Sequence, residues 1–272
     1  MSDQSNAAGE EGIVLSLDGA VATLTLNRPA ALNVLDLGMM EALVTHASAL
    51  AADASLRVVV LRGAGKHFMA GGDLRTFAAR LDVEPLQRQR EFQRIVERLH
   101  AAIEHLQRMP HAVIGAVQGA VAGFGLSLVG ACDLVVAADN AYFSSAYRQI
   151  GLSPDGGGTW SLPRIVGVRK ALELYLLSER FDAREAQRIG LVNRVVHAAA
   201  LDSTVNEWAQ SIATGPAVAL RNAKRLLRES LDRSLSQQLR AESVSFGECA
   251  ATRDFEEGLR AFFERRPPRF GG

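Results

Sequence analysis

The sequence predicts an α/β fold followed by a helical C-terminal part. Three observations carry this. A two-stranded hairpin opens the chain, strands then alternate with helices to about residue 145, and from Gly167 onward the apolar spacing is almost wholly helical. Alternation of that kind argues for parallel strands layered with helices.

The hairpin pairs Ile13–Leu17 with Val21–Leu26 around Asp18-Gly19, a two-residue turn signal, and Asn27-Arg28-Pro29 ends the second strand. Asp36 is placed to cap a helix running to about Ala52, with Leu37, Met40, Leu43 and Val44 on one face. Arg57–Arg62 reads as a short buried strand, and Gly63–Asp73 as a glycine-rich loop. A long helix spans Pro85–Arg108 and stops at Pro110. Val113–Val117 is a strand, Gly123–Gly130 a small-residue helix and Leu134–Ala137 a further strand. Val168–Leu177, Ala183–Ile189, Leu201–Ala213, Ala217–Leu231 and Ser234–Arg265 show helical spacing. A boundary near residue 200 divides a core, residues 12–200, from a helical region, residues 201–272.

Composition narrows the function classes. The chain has 272 residues, with 30 Lys+Arg against 30 Asp+Glu. Zero net charge argues against a nucleic-acid track, which needs a basic excess, and tolerates self-association. No apolar run reaches membrane-spanning length. Met1–Glu11 is small and polar and reads as a disordered leader rather than a signal peptide. Cys132 and Cys249 are the only cysteines, which suggests a reducing cytoplasm. Neither they nor the six histidines show metal-ligand spacing, so no metal is expected.

Three glycine-rich segments are candidates for chemistry: His67–Leu74, Gly119–Gly125 and Ser153–Thr159. None has a phosphate-loop or dinucleotide pattern. The first two each follow a strand, and the second opens a helix. Glycine allows close backbone approach, and a helix N-terminus offers unpaired N–H groups. Two such donors converging on one point make an oxyanion hole, although tight turns and helix packing call for the same residues.

Asn27-Arg28-Pro29-Ala30-Ala31-Leu32-Asn33, Phe68–Leu74, Gly119–Asp133, Gly151–Thr159 and Ala261–Pro267 occur in this order. Together they resemble the enoyl-CoA hydratase/isomerase (crotonase) family over about residues 12–270. The resemblance implies a spiral of ββα turns and a C-terminal region that builds trimers, often paired into hexamers. It also implies an acyl-CoA thioester substrate, with no cofactor beyond the CoA that the substrate carries. The thioester oxygen would sit between the backbone N–H groups of Ala70 and Phe124. Gly71, Gly72, Asp73, Leu74 and Gly123 would lie around it. Asp73 reads more readily as a loop or helix cap than as a catalyst, and His67 carries no assigned role.

Family hydratases use two glutamates to hold and activate water. Here those positions are Ser127 and Tyr147, neither of them a carboxylate. Asp155 remains, where dienoyl-CoA isomerases, ring-modifying isomerases of phenylacetyl-CoA breakdown and 4-chlorobenzoyl-CoA dehalogenase carry an acid. The run Ala146–Arg164 is most similar to the phenylacetyl-pathway isomerases. One carboxylate suffices to move a proton along an acyl chain, and Phe124, Tyr147, Leu152 and Trp160 would raise its pKa. A hydratase with an atypical site, a dehalogenase with Asp155 as nucleophile, and a non-catalytic acyl-CoA binder stay open. Dehalogenases carry Trp where this chain has Tyr147. Arg28 and the pair Lys224-Arg225 are candidates for the CoA phosphates. Ala30 replaces a Lys common in relatives. Phe262 and Phe263 would close the pocket from a neighbouring subunit, or else pack in a helix core. The helix Pro85–Arg108 and the segment Thr76–Glu84 would shape the acyl pocket.

Overall fold

The computed structural model describes residues 12–271; the leader expected at residues 1–11 lies outside them. Strands β1 (Ile13–Asp18) and β2 (Val21–Leu26) form the antiparallel hairpin. Asp18 still pairs with Val21, so the turn is Gly19-Ala20, one residue later than the Asp-Gly signal suggests. The Asp36 side chain caps α1 (Leu37–Ala52) by accepting from the Met39 N–H at 2.8 Å.

Strand β3 (Val58–Gly63) pairs parallel with β2. A short helix α2 (Leu74–Ala78) and the long α3 (Pro85–Arg108) return the chain to β4 (Ala112–Val117). A three-residue strand β5 (Ala120–Ala122) leads into α4 (Phe124–Ala131), then β6 (Leu134–Ala138) and the equally short β7 (Tyr142–Ser144). Helices α5 (Gly158–Val166) and α6 (Val168–Leu176) follow, then β8 (Phe181–Asp182), α7 (Ala183–Arg188) and β9 (Arg194–Val196). The turns that begin at β4 and β6 each lay a strand in one sheet, cross to a short strand in another and return by a helix, and after β3 only Met69 bridges, to Val121: the expected crotonase spiral.

The large sheet runs β1-β2-β3-β4-β6-β9, parallel after the hairpin; the small one runs β5-β7-β8. Both faces of the large sheet are covered. Val59 and Leu61 point to the main core under α1, α3 and α4. Val58 and Val60 point the other way, with Ile114 and Val136, against Leu201, Val205 and Ala209 of α8 (Leu201–Ala213). Coverage on both sides explains the unbroken apolar run of β3, which a half-buried strand would alternate. Each aliphatic side chain so buried contributes about 1.5–3 kcal/mol.

The tail continues as α9 (Ala217–Glu229), α10 (Leu235–Ala250) and α11 (Arg253–Glu264). The single helix expected over Ser234–Arg265 is therefore two. The break falls at Ala251-Thr252, where the Thr252 hydroxyl accepts from the Phe255 N–H at 3.1 Å and starts a new helix.

Candidate active site

The glycine-rich loop after β3 is built by cross-links that local spacing does not reveal. Asn33 is fully buried; its amide nitrogen donates to the carbonyls of Ala64, His67 and Phe68, and its Oδ1 accepts from the Arg28 N–H. The Phe68 and Met69 N–H groups bond to the Gln118 and Ala120 carbonyls, and His67 Nδ1 accepts from the Ala120 N–H at 3.0 Å. Two distant loops are thereby laid side by side. Cα of Gly71 lies so close to Gly123 that a Cβ added to Gly123 would meet it at 3.4 Å.

This packing reassigns one expected donor. The Ala70 N–H is taken by the Leu32 carbonyl at 3.1 Å, so it does not serve an oxyanion hole. The next candidate is Gly72. The Gly71 carbonyl accepts from the Leu35 N–H at 2.8 Å, and in a trans peptide the N–H points opposite to the C=O. The Gly72 N–H is therefore turned away from Leu35. A Cβ on Gly71 would lie 3.8 Å from the Phe124 nitrogen, the first N–H of α4, which no intrahelical carbonyl can reach. Gly72 and Phe124 thus bring two backbone donors to one side of the loop.

A cavity of about 510 Å³ opens there. Ala70, Gly71, Gly72, Leu74, Gly123, Phe124, Tyr147, Leu152 and Asp155 all line it, with an apolar wall from Phe92, Ile95, Val96 and Leu99 of α3. The helix Pro85–Arg108 and Thr76 do shape this space, as expected. Its carboxylates are Asp36 and Asp155. Asp36 is engaged by the Met39 N–H and by Arg28 at 3.1 Å.

Asp155 meets neutral donors instead. The Tyr147 hydroxyl donates to its Oδ1 at 2.6 Å, and Ser127 Oγ donates to its backbone carbonyl at 2.7 Å. Ser127 and Tyr147 are themselves buried. The Gly156 N–H donates to His100 Nε2 at 3.2 Å. Gly156 has φ of +61°, and a Cβ there would lie 2.6 Å from the Phe124 ring, so the loop needs glycine on both counts. Burial pushes the Asp155 carboxyl above the ordinary carboxylate range, while the Tyr147 hydrogen bond pulls the other way. Burial, then the adjacent carboxylate, pushes the Tyr147 phenol upward, so it stays a donor at neutral pH.

Several expected contacts lie elsewhere. Arg28 is spent on Asp36, Asp73 and the Val34 carbonyl. Asp73 caps α2 by accepting from the Arg75 N–H, the bland role open to it. Lys224 is buried against Asp133 at 2.7 Å and donates to the His111 carbonyl, so it is no candidate for a phosphate. Trp160 lies under the Arg164 guanidinium and lines a second cavity of about 1060 Å³ rather than the acyl side. Ala30 is exposed and outside both cavities. Phe262 is 77% exposed on α11, edge-to-face with Phe263, and lines neither cavity. His100, Pro154 and Asp155 line both cavities, placing the acid at their junction. His100 carried no signal in the sequence, because its loop partner comes 56 residues later.

Residues 16–272 match the protein family described as enoyl-CoA hydratase/isomerase. The chain is 34% identical to the 1,2-epoxyphenylacetyl-CoA isomerase of Escherichia coli, over 96% of this chain and 99% of that one. It is 33% identical to the short-chain-enoyl-CoA hydratase of Clostridium acetobutylicum, over 93% and 95%. Among solved structures, an enoyl-CoA hydratase from Polaromonas sp. JS666 superposes with a TM-score of 0.87 at 36% identity, covering 95% of this chain and 99% of its own.

Proposed function

The chain belongs to the enoyl-CoA hydratase/isomerase family, and on that premise we propose that it is an enoyl-CoA isomerase using Asp155 as its single acid–base group. The observation that carries this is the pairing of Asp155 with Ser127 and Tyr147. These are the positions where the resemblance puts a hydratase's two glutamates. Here both side chains are hydroxyls, and both are turned to holding a third residue, which is a carboxylate.

The Asp155 carboxylate takes a proton from the carbon next to the thioester carbonyl of a 3-enoyl-CoA. The C–H electron pair moves into a dienolate, whose charge gathers on the thioester oxygen. The Gly72 and Phe124 N–H groups hold that oxygen, and losing one such donor typically costs about 3–4 kcal/mol of barrier. Asp155, now protonated, returns its proton two carbons along. The double bond ends conjugated to the thioester, and nothing is oxidised or reduced. The raised pKa of Asp155 makes it a stronger base than a solvated aspartate.

The acyl group is compact, cyclic or short. Beyond Asp155 the second cavity is lined by charged side chains such as Glu104, Arg221 and Glu248, a poor setting for a long alkyl tail. The chain works as a trimer or a hexamer. Leu235, Phe246 and Phe262 of the tail are 74%, 75% and 77% exposed in one protomer, which is costly unless another subunit covers them.

Ultraviolet monitoring of thioester conjugation tests the reaction. With 3-enoyl-CoA or a ring-epoxide phenylacetyl-CoA, turnover to the isomerised thioester is expected. Loss of conjugation from 2-enoyl-CoA without any isomerisation would make the protein a hydratase. Tight binding with no turnover of any of them would make it a binder.

A further inference from the structure

Three glycines in succession follow Asp155, the residue type with the most backbone freedom. A carboxylate mounted on such a loop stays in place only if other elements hold it. The Asp155–Gly156 peptide is held at both ends. Its carbonyl accepts from Ser127 Oγ of α4 at 2.7 Å, and its N–H donates to His100 Nε2 of α3 at 3.2 Å. Losing either bond frees the backbone that carries the Asp155 side chain to shift, which the Tyr147 hydroxyl at 2.6 Å must then resist alone. From this geometry we infer that His100 is a positioning residue, fixing the Asp155 carboxylate through the Gly156 amide. The inference rests on the acid–base role of Asp155 given above.

The chemistry is that of an acceptor. A backbone N–H donates to Nε2, so Nε2 presents its lone pair to the loop. Gly156 is buried, and its N–H would lose its partner without His100. His100 sits on the part of α3 that walls the acyl cavity, between Val96 and the buried Ile103. The helix therefore builds the pocket and fixes the acid with one face.

The test compares His100→Leu with His100→Gln in the full chain. Glutamine places an amide oxygen at the reach of Nε2, whereas leucine fills space without an acceptor. Isomerisation of 3-enoyl-CoA gives kcat and KM, and a saturated acyl-CoA gives Kd. His100→Leu is expected to lower kcat about tenfold to a hundredfold, as misplacing a catalytic group by about 1 Å does. Because His100 also lines the acyl cavity, KM and the saturated acyl-CoA Kd are compared with those of His100→Gln, which should recover most of kcat. Unchanged kcat in His100→Leu would overturn the inference. So would equal losses in both variants, or a loss of kcat matched by a loss of binding. Asp155→Asn, run alongside, separates the claims. If it stays active, the role of the aspartate falls and the inference with it. If it is inactive while His100→Leu is unimpaired, the inference alone falls.

Discussion

Asp133 and Asp155 are both held inside this fold, by opposite means. Asp133, at the entrance to β6, is met by Lys224 at 2.7 Å, by Arg228 at 2.8 Å and by the Val113 N–H at 2.8 Å. The Asp155 carboxylate is met by the Tyr147 hydroxyl, Ser127 holds the backbone carbonyl of the same residue, and among the described residues no Lys or Arg pairs with it. The two cations on Asp133 fasten helix α9 to the large sheet. Neutral donors leave a carboxylate able to gain and lose a proton. On the proposed function, the same side chain serves architecture in one place and chemistry in the other, and its partners decide which.

The largest effect that would sharpen this contrast is on turnover. Asp155→Asn should lower kcat by about a thousandfold or more, since general acid–base groups supply roughly 10²–10⁴. Binding of a saturated acyl-CoA, measured by calorimetry, should survive. Asp133→Asn should act on stability instead. It strands two half-buried cations, so the cost should fall below the roughly 3–5 kcal/mol of breaking a fully buried pair. Urea unfolding should show this as a lower midpoint, with kcat per folded molecule retained. Equal stability would break the comparison from the structural side.

Tyr147→Phe should have an intermediate effect. A hydrogen bond to a charged group contributes about 1.5–3 kcal/mol, so kcat at pH 7 should fall about tenfold. Without that donor the Asp155 pKa rises further, so the acid limb of kcat/KM against pH should move upward. An unmoved limb would disconnect the hydroxyl from the acid.

The smallest effect is on stability at Asp155 itself. Its pKa is higher in the folded than in the unfolded chain. The resulting stabilisation is therefore complete below about pH 3.9, the usual aspartate value, and is lost as pH rises through the folded value. At neutral pH the ionised, half-buried carboxylate is a standing cost. Asp155→Asn should then melt slightly higher than the parent at pH 7, and the difference should vanish near pH 4. A lower melting temperature at pH 7 would mean that the carboxylate is held by interactions stronger than its desolvation.

The reach of the sequence follows from the range of the forces involved. α1 with its Asp36 cap, the buried β3, the long α3 and the small-residue α4 were legible because periodicity and capping are local. That Asp155 meets Ser127 and Tyr147 was legible through the resemblance, which aligns those two with a hydratase's glutamates. β5, β7, β8 and β9 were not, since strands of two or three residues exist only by pairing with distant partners. The shift of the oxyanion donor from Ala70 to Gly72 depends on which carbonyl faces Leu35. No motif records that orientation. Lys224 read as a candidate for the CoA phosphates because its partner Asp133 lies far away in the sequence. The break at Thr252 was hidden by apolar spacing that continues on both sides of it.

The central claim is that Asp155 removes a proton from the carbon beside the thioester. Its most direct test is the exchange of those protons in D2O, followed by NMR on 3-enoyl-CoA during turnover. In the parent protein the proton held by Asp155 should exchange with solvent before it is returned, so deuterium should enter the positions flanking the migrating double bond as the conjugated product forms. Asp155→Asn, saturated with the same substrate, should leave them protonated. Exchange at the parental rate in Asp155→Asn would show that another group does the chemistry.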